Sequence, residues 1–272
     1  MKNFLVIGNP IKHSLSPLVH NYWISKAKIQ ARYEKKQIEE KQLPQVIEGI
    51  RVNKISGVNV TVPFKQKIIP LLDELTEIAR STNSVNILYK KNNKIIGDNT
   101  DVFGFKSSLQ DQWPNTKMKS ALLIGAGGVA PSIIFALKEL NFEEIYLSNR
   151  TSHKFDTFKN KFGPILKELA WENLEHQNTP VDLVINATSL GLNDQDQIPF
   201  NFETINKNII FYDVIYNPEQ TNFLKKAKSK GHICINGLMM FLYQAQLSYK
   251  IWFDAEPKID TELINLIKKI ND

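Results

Sequence analysis

The feature that most constrains this chain is Gly125-Ala126-Gly127-Gly128-Val129-Ala130, a glycine-rich turn that follows the apolar run Ala121-Leu122-Leu123-Ile124 and opens a segment of helical periodicity. Strand, G-x-G-x-x-A and helix in that order make the phosphate-binding turn of a dinucleotide fold. Gly125 permits the tight turn, Gly127 lets the backbone approach a pyrophosphate, and Ala130 takes the third small position, where helix packs on strand. Pro131 falls in the first helical turn, where it is tolerated. The amides and positive dipole of the helix N-terminus face the phosphates. Ala126, Gly128 and Val129 complete the predicted cofactor loop.

Around this turn the chain reads as α/β in two domains. Before it, strand-like runs (4–7, 32–37, 57–62) alternate with amphipathic helical patterns (15–27, 43–52), which predicts a mostly parallel sheet with helical crossovers. Ser84–Lys90 and Lys94–Ile96, separated by Lys91-Asn92-Asn93, predict a β-hairpin. A polar, proline-containing stretch from Asp111 to Lys119 introduces a new series. Strands at 120–124, 144–148, 182–186, 209–214 and 232–235, with helices from 129, around 152–161 and over 219–230, give the doubly wound, Rossmann-like pattern. After Gly237 the chain is helical (238–253, 262–270), and these helices are expected to return to the first domain. The predicted division is residues 1–101, completed by 238–272, and residues 102–237.

The end of the strand after the glycine turn distinguishes two nicotinamide cofactors, because a carboxylate there grips the ribose hydroxyls of NAD and repels a 2′-phosphate. Here the sequence is Ser148-Asn149-Arg150-Thr151-Ser152-His153-Lys154, with no acid. Arg150 can stack on adenine and pair with a phosphate, Lys154 adds a cation, and Asn149 and Thr151 offer neutral hydrogen bonds. The stretch favours NADP.

Two further stretches supply chemistry. Lys65 closes Asn59-Val60-Thr61-Val62-Pro63-Phe64-Lys65, where Pro63 ends strand pairing and the chain leaves the sheet at a strand end, the place where such folds hold ligands. Its ammonium can give a proton to a carbonyl oxygen that receives hydride, or take one from an alcohol. Asp101 lies in Gly97-Asp98-Asn99-Thr100-Asp101; if it meets Lys65 it fixes the ammonium, and otherwise it caps the segment beginning at Val102. In His13-Ser14-Leu15-Ser16-Pro17, Ser16 is placed to cap a helix, and Ser14 and Ser16 together can bind a carboxylate at that helix's positive end.

Composition excludes other classes. A net charge of +6 comes from lysines scattered over helices and tail rather than gathered in a patch, so no nucleic-acid partner is expected. One cysteine, Cys234, excludes an internal disulfide and a cysteine zinc cluster. His13, His20, His153, His176 and His232 have no metal-ligand spacing, so no metal is expected. The apolar run at 4–7 is too short for a signal peptide and no stretch approaches the ~18 residues of a membrane span, which leads to the expectation of a cytoplasmic protein.

Gly8-Asn9-Pro10-Ile11, His13 to Pro17, Asn59 to Lys65, Asn99-Thr100-Asp101, the glycine turn and Asn149-Arg150-Thr151 together resemble the shikimate dehydrogenases, in an order that covers nearly the whole chain. Asn186-Ala187-Thr188-Ser189, Asp213 to Pro218 and Gly237-Leu238-Met239-Met240 leading to Gln244 extend the resemblance. It implies that Ser14 and Ser16 hold a substrate carboxylate, and that Asn59, Thr61, Asn86, Asp101 and Gln244 read ring hydroxyls. Lys65 and Asp101 serve proton transfer and Tyr216 lies near the substrate at the cleft. The cofactor lies on Gly125, Gly127 and Gly128, with Asn149, Arg150 and Lys154 about its 2′-phosphate and Thr188, Ser189, Gly237 and Met240 near the ribose and nicotinamide. The implied reaction is NADPH-dependent, reversible reduction of 3-dehydroshikimate to shikimate, by a monomer or homodimer acting on a small molecule. Two departures stand out: Asn83-Ser84-Val85-Asn86-Ile87 replaces the family's usual Gly-Ala-Val-Asn-Thr, and Lys154 stands where arginine is frequent. The alternatives are a quinate/shikimate dehydrogenase with relaxed substrate or NAD use and a non-catalytic dinucleotide sensor.

Overall fold

In the computed structural model, which describes the 272-residue chain except residues 114–117, 152, 177–179, 194, 204–208 and 272, the apolar runs become strands of two separate six-stranded sheets. Residues Met1–Gly104 and Leu242–Asp272 form one unit and Phe105–Phe241 the other.

The first unit contains β1 (Lys2–Gly8), α1 (Ser16–Lys26), β2 (Ala31–Gln37), α2 (Leu43–Arg51), β3 (Gly57–Val60), β4 (Glu74–Leu75), α3 (Glu77–Thr82), β5 (Ile87–Lys91) and β6 (Lys94–Asp98). Its sheet runs β2-β1-β3-β5-β6-β4. The alternation with α1 and α2 makes β1, β2 and β3 parallel, because each crossover helix returns the chain in the same direction. β5 then pairs antiparallel with β3 and with β6. The hairpin turns on Asn92 and Asn93, both at positive φ (50° and 60°), as a two-residue loop demands and as asparagine accepts. One face of the sheet is covered by Val46, Ile47 and Ile50 of α2 together with Ile7, Val58, Val60 and Leu88.

The second unit begins within α4 (Asp101–Gln112), a helix whose Val102, Phe105 and Leu109 are buried at one-turn spacing. It contains β7 (Ser120–Ile124), α5 (Ala130–Glu139), β8 (Glu144–Ser148), α6 (Lys154–Phe162), β9 (Leu166–Glu168), β10 (Leu183–Asn186), β11 (Ile210–Asp213), α7 (Asn222–Ser229) and β12 (Ile233–Ile235). The order β12-β11-β10-β7-β8-β9 is parallel throughout, the doubly wound arrangement in which the chain reverses direction across the sheet between β7 and β10. Leu122, Ile124, Val184 and Phe211 of the sheet pack against Phe200, Phe202, Phe223 and Leu224.

The last helices are α8 (Leu238–Phe253) and α9 (Thr261–Asn271). From Leu242 onward they pack on the first unit. Trp252 Nε1 donates to Leu88 O at 3.2 Å, and Trp23 Nε1 donates to Lys258 O at 2.9 Å. Gly57 makes room: a Cβ there would lie 2.3 Å from Trp252 Nε1. Among the described residues no helix is long and apolar enough to cross a membrane.

Candidate active site

Lys65 leaves the sheet after β3, its carbonyl held by Val85 N at 2.9 Å. Its Nζ lies 2.5 Å from Asp101 Oδ2, with side chains only 11% and 9% exposed. Asp101 opens α4, where a carboxylate meets the positive end of the helix dipole. The cap of that helix is Asn99, not Asp101, since Asn99 Oδ1 accepts from Asp101 N (3.0 Å) and Val102 N (3.3 Å). Asp101 is thereby left to the ion pair. A pair this far from solvent is worth little over apolar packing, but removing one member strands the other charge, a loss of about 3–5 kcal/mol.

The carboxylate is braced from behind. Asn86 Nδ2 donates to Asp101 Oδ1 and to Thr100 Oγ1, each at 2.9 Å, while Asn86 Oδ1 accepts from Thr100 N at 2.7 Å. Asn59 Nδ2 donates to Asn86 O (3.0 Å) and Ser248 Oγ (3.1 Å). Ser248 Oγ lies 3.2 Å from Thr100 Oγ1 and donates to Gln244 O at 2.9 Å. Tyr33 OH donates to Asn59 Oδ1 at 2.7 Å, and burial pushes its phenol well up from the usual tyrosine range. Ser14 Oγ accepts from Ser16 N at 3.3 Å, which ties the start of α1. Beside them Gly8 fits against Thr61, whose Cγ2 would be 2.5 Å from a Cβ at position 8. Tyr33, Asn59, Lys65, Asn86, Asp101 and the Gln244 carbonyl, far apart in sequence, are thus joined in one polar network of the first unit.

In the second unit the glycine turn leaves β7 at the switch point beside β10. Gly125 has φ +107°, and a Cβ there would lie 2.7 Å from Thr188 Cγ2. Gly127 differs: a Cβ would meet nothing nearer than Ala187 O at 3.8 Å. The protein itself does not require glycine at 127, which leaves close approach of a bound group as the demand, and the turn fits a pyrophosphate. Asn149 Oδ1 accepts from Ala126 N (3.0 Å) and its Nδ2 donates to Thr151 O (2.9 Å), so Asn149 couples the turn to the segment after β8. Arg150 and Lys154 are exposed and have no ion-pair partner among the described residues; Ser152 lies outside those residues. A dianionic phosphate suits this setting, while an NAD-type carboxylate partner is missing from the end of β8.

Thr188 is fixed by Asn186, whose Oδ1 accepts from Thr188 N (3.0 Å) and Thr188 Oγ1 (2.7 Å). Asp213, fully buried at the end of β11, holds this loop in turn. It accepts from Asn186 Nδ2 (3.1 Å), Ile215 N (3.0 Å) and Thr221 Oγ1 (2.6 Å), and burial outweighs these bonds to push its carboxyl up to about 6. Gly237 lies so close to β11's exit that a Cβ would be 2.1 Å from Val214 O. Met240 is buried, and Tyr216, also in the second unit, stacks on Phe241 with centroids 4.6 Å apart. Among the described residues no group of three or more His, Cys, Asp and Glu is placed to hold a metal ion.

Over 266 residues, 98% of each chain, the sequence is 54% identical to a shikimate dehydrogenase (NADP(+)) of Pelagibacter ubique. The chain belongs to the shikimate dehydrogenase family. Residues 6–88 match the shikimate dehydrogenase substrate binding domain, and residues 107–193 match the shikimate / quinate 5-dehydrogenase domain. The shikimate dehydrogenase crystal structure from Aquifex aeolicus is 37% identical with a TM-score of 0.87, covering 100% of this chain and 98% of its own. That of shikimate 5-dehydrogenase from Thermus thermophilus in complex with NADP(H) and shikimate is 28% identical with a TM-score of 0.87, covering 100% of both chains. The doubly wound second unit matches the Rossmann-like fold expected of a shikimate dehydrogenase.

Sequence reasoning missed Tyr33, Thr100, Ser248 and Asp213. Tyr33 is the only buried position of β2, and the polar Ser248 sits between buried Ala245 and Tyr249 of α8. A polar residue inside an apolar stripe was the available signal, but its partners come from distant segments.

Proposed function

We propose that this protein catalyses the reversible reduction of 3-dehydroshikimate to shikimate with NADPH, and that Lys65 and Asp101 carry the proton transfer. The observation that carries this reading is the ammonium–carboxylate contact of 2.5 Å on two nearly buried side chains in a chain of this family. The cofactor, when bound, supplies or takes the hydride. As hydride reaches a ketone, charge grows on the carbonyl oxygen; the Lys65 ammonium offsets that charge and delivers the proton that completes the alcohol. In the oxidative direction the Lys65 amine takes the hydroxyl proton. Asp101 orients the nitrogen in both, and Asn86 keeps Asp101 in place.

On this reading Ser14 and Ser16 receive the substrate carboxylate, and Thr61, Asn86 and Gln244 border its ring hydroxyls. Asn59 has both amide hydrogens directed at Asn86 and Ser248, so it meets a ring hydroxyl as an acceptor. Tyr216 lies near the substrate. The turn from Gly125 to Val129 and the N-terminus of α5 hold the pyrophosphate, Arg150 and Lys154 the 2′-phosphate, with Asn149 and Thr151 shaping that corner. Thr188, Ser189, Gly237 and Met240 serve the ribose and nicotinamide.

The deciding experiment is initial-rate kinetics with shikimate and with quinate, each against NADP and NAD. The expected result is highest kcat/KM for shikimate with NADP. No turnover of shikimate with either cofactor refutes the function, equal use of quinate moves the substrate to the broader quinate/shikimate class, and equal use of NAD removes the role given to Arg150.

A further inference from the structure

Strand β2 is exposed along most of its length, and its single buried side chain is Tyr33. The phenol ring lies flat on the His20 imidazole, with centroids 4.3 Å apart and planes 5° from parallel, and His20 in turn meets the edge of Trp23 at 5.7 Å. Burial pushes the His20 imidazole down to about 3, and neither of its nitrogens has a hydrogen-bond partner among the described residues. His20 is therefore a neutral plate that fixes the plane of the Tyr33 ring and makes no polar demand on the hydroxyl.

That hydroxyl donates to Asn59 Oδ1, from a different segment of the chain, at 2.7 Å. The Asn59 amide is then defined on every side, with its oxygen on the phenol proton and its nitrogen on Asn86 O and Ser248 Oγ. A flipped amide would set Asn59 Oδ1 against the Asn86 carbonyl, acceptor against acceptor, in a place where Asn59 is 7% exposed.

We propose that Tyr33 is a positioning residue for the shikimate reaction: a strut whose hydroxyl holds the Asn59 amide and keeps Asn59 Oδ1 as the face presented to substrate. This inference rests on the substrate role proposed above for Asn59. Tyr33 touches no reacting atom and acts through Asn59.

The test is Tyr33→Phe, which removes one oxygen and keeps the ring on His20. KM for shikimate is expected to rise about tenfold, the weight of one buried hydrogen bond, while KM for NADP stays within twofold. Ser248→Ala reads the same amide from its other side and suits a helix; it is expected to raise KM for shikimate severalfold with KM for NADP unchanged, and it decides the matter if Tyr33→Phe fails to fold. In an Asn59→Ala background, Tyr33→Phe is expected to add less than its single effect, because the group it positions is gone. The strut is overturned if both Tyr33→Phe and Ser248→Ala leave KM for shikimate within twofold of the parent, or if KM for shikimate and for NADP rise in the same proportion, the mark of general loosening. An unsubstituted protein that does not turn over shikimate overturns the underlying functional reading instead, so the two failures are distinct.

Discussion

Asp213→Asn isolates the electrostatic load that the second unit carries beneath its Thr188 loop. The Asp213 carboxyl rises from 3.8 to about 6 on folding because it is buried, so the folded protein holds this proton more tightly than the unfolded chain. For an acid shifted upward, stability is highest below 3.8, falls as pH rises from 3.8 toward 6, and levels off above. At about 1.36 kcal/mol per pH unit, the full loss is about 3 kcal/mol. Between pH 5 and pH 8 the same two values give a loss of about 1.4 kcal/mol. The asparagine fits: its oxygen keeps the bonds from Asn186 Nδ2 and Ile215 N, and its nitrogen faces Thr221 Oγ1, which turns to accept. Urea unfolding of both proteins at pH 5, 6, 7 and 8 gives the comparison, since every other group titrates alike in the two. The variant is expected to gain about 1.4 kcal/mol on the parent over that span. Parallel pH profiles would show that Asp213 does not change its proton affinity on folding and would refute the reasoning.

Lys65→Ala is expected to lower kcat about 100- to 10,000-fold with KM for NADP little changed, followed by nicotinamide absorbance; near-parental turnover removes Lys65 from the chemistry. The double variant Lys65→Ala, Asp101→Asn should be scarcely slower than the worse single one, because the two side chains act as one unit; multiplied losses would show that they act independently. Arg150→Ala should raise KM for NADP at least tenfold and leave KM for NAD within twofold, since only one cofactor carries the extra phosphate that the guanidinium would meet. Gly237→Ala forces a carbon to within 2.1 Å of Val214 O, and a loss of about 1–3 kcal/mol, or more if the backbone cannot yield, should appear as a lowered thermal midpoint.

Much of this was legible in the sequence because it rests on local rules. The glycine turn sits where strand, G-x-G-x-x-A and Pro131 place it, and Asn92-Asn93 makes the hairpin turn that two asparagines favour. α4 is less legible, although Val102, Phe105 and Leu109 are spaced for a helix, because the turn residues Asp98 to Thr100 and Pro114 flank it with loop signals. The hairpin's first strand was extended too far back, since Ser84 to Asn86 are held by side-chain bonds and crossing backbone contacts rather than by a ladder. Lys65 and Asp101 were legible as types of residue. That they touch, and that Asn86, Asn59 and Tyr33 stand behind them in series, depends on contacts between segments up to 189 residues apart, the span from Asn59 to Ser248.

The first unit is assembled from residues on both sides of the other unit, Met1–Gly104 and Leu242–Asp272. On the ribosome, residues 1–104 emerge early, yet Trp252, which fits against Gly57, and the hydroxyl of Ser248 follow only after the whole of the second unit. Both units have all of their strands before then, but the first lacks the helices that pack on it, so the second can settle while the first still waits. A nascent chain stalled near residue 241 thus carries a complete second unit joined to a sheet whose strands are made and whose packing helices are missing.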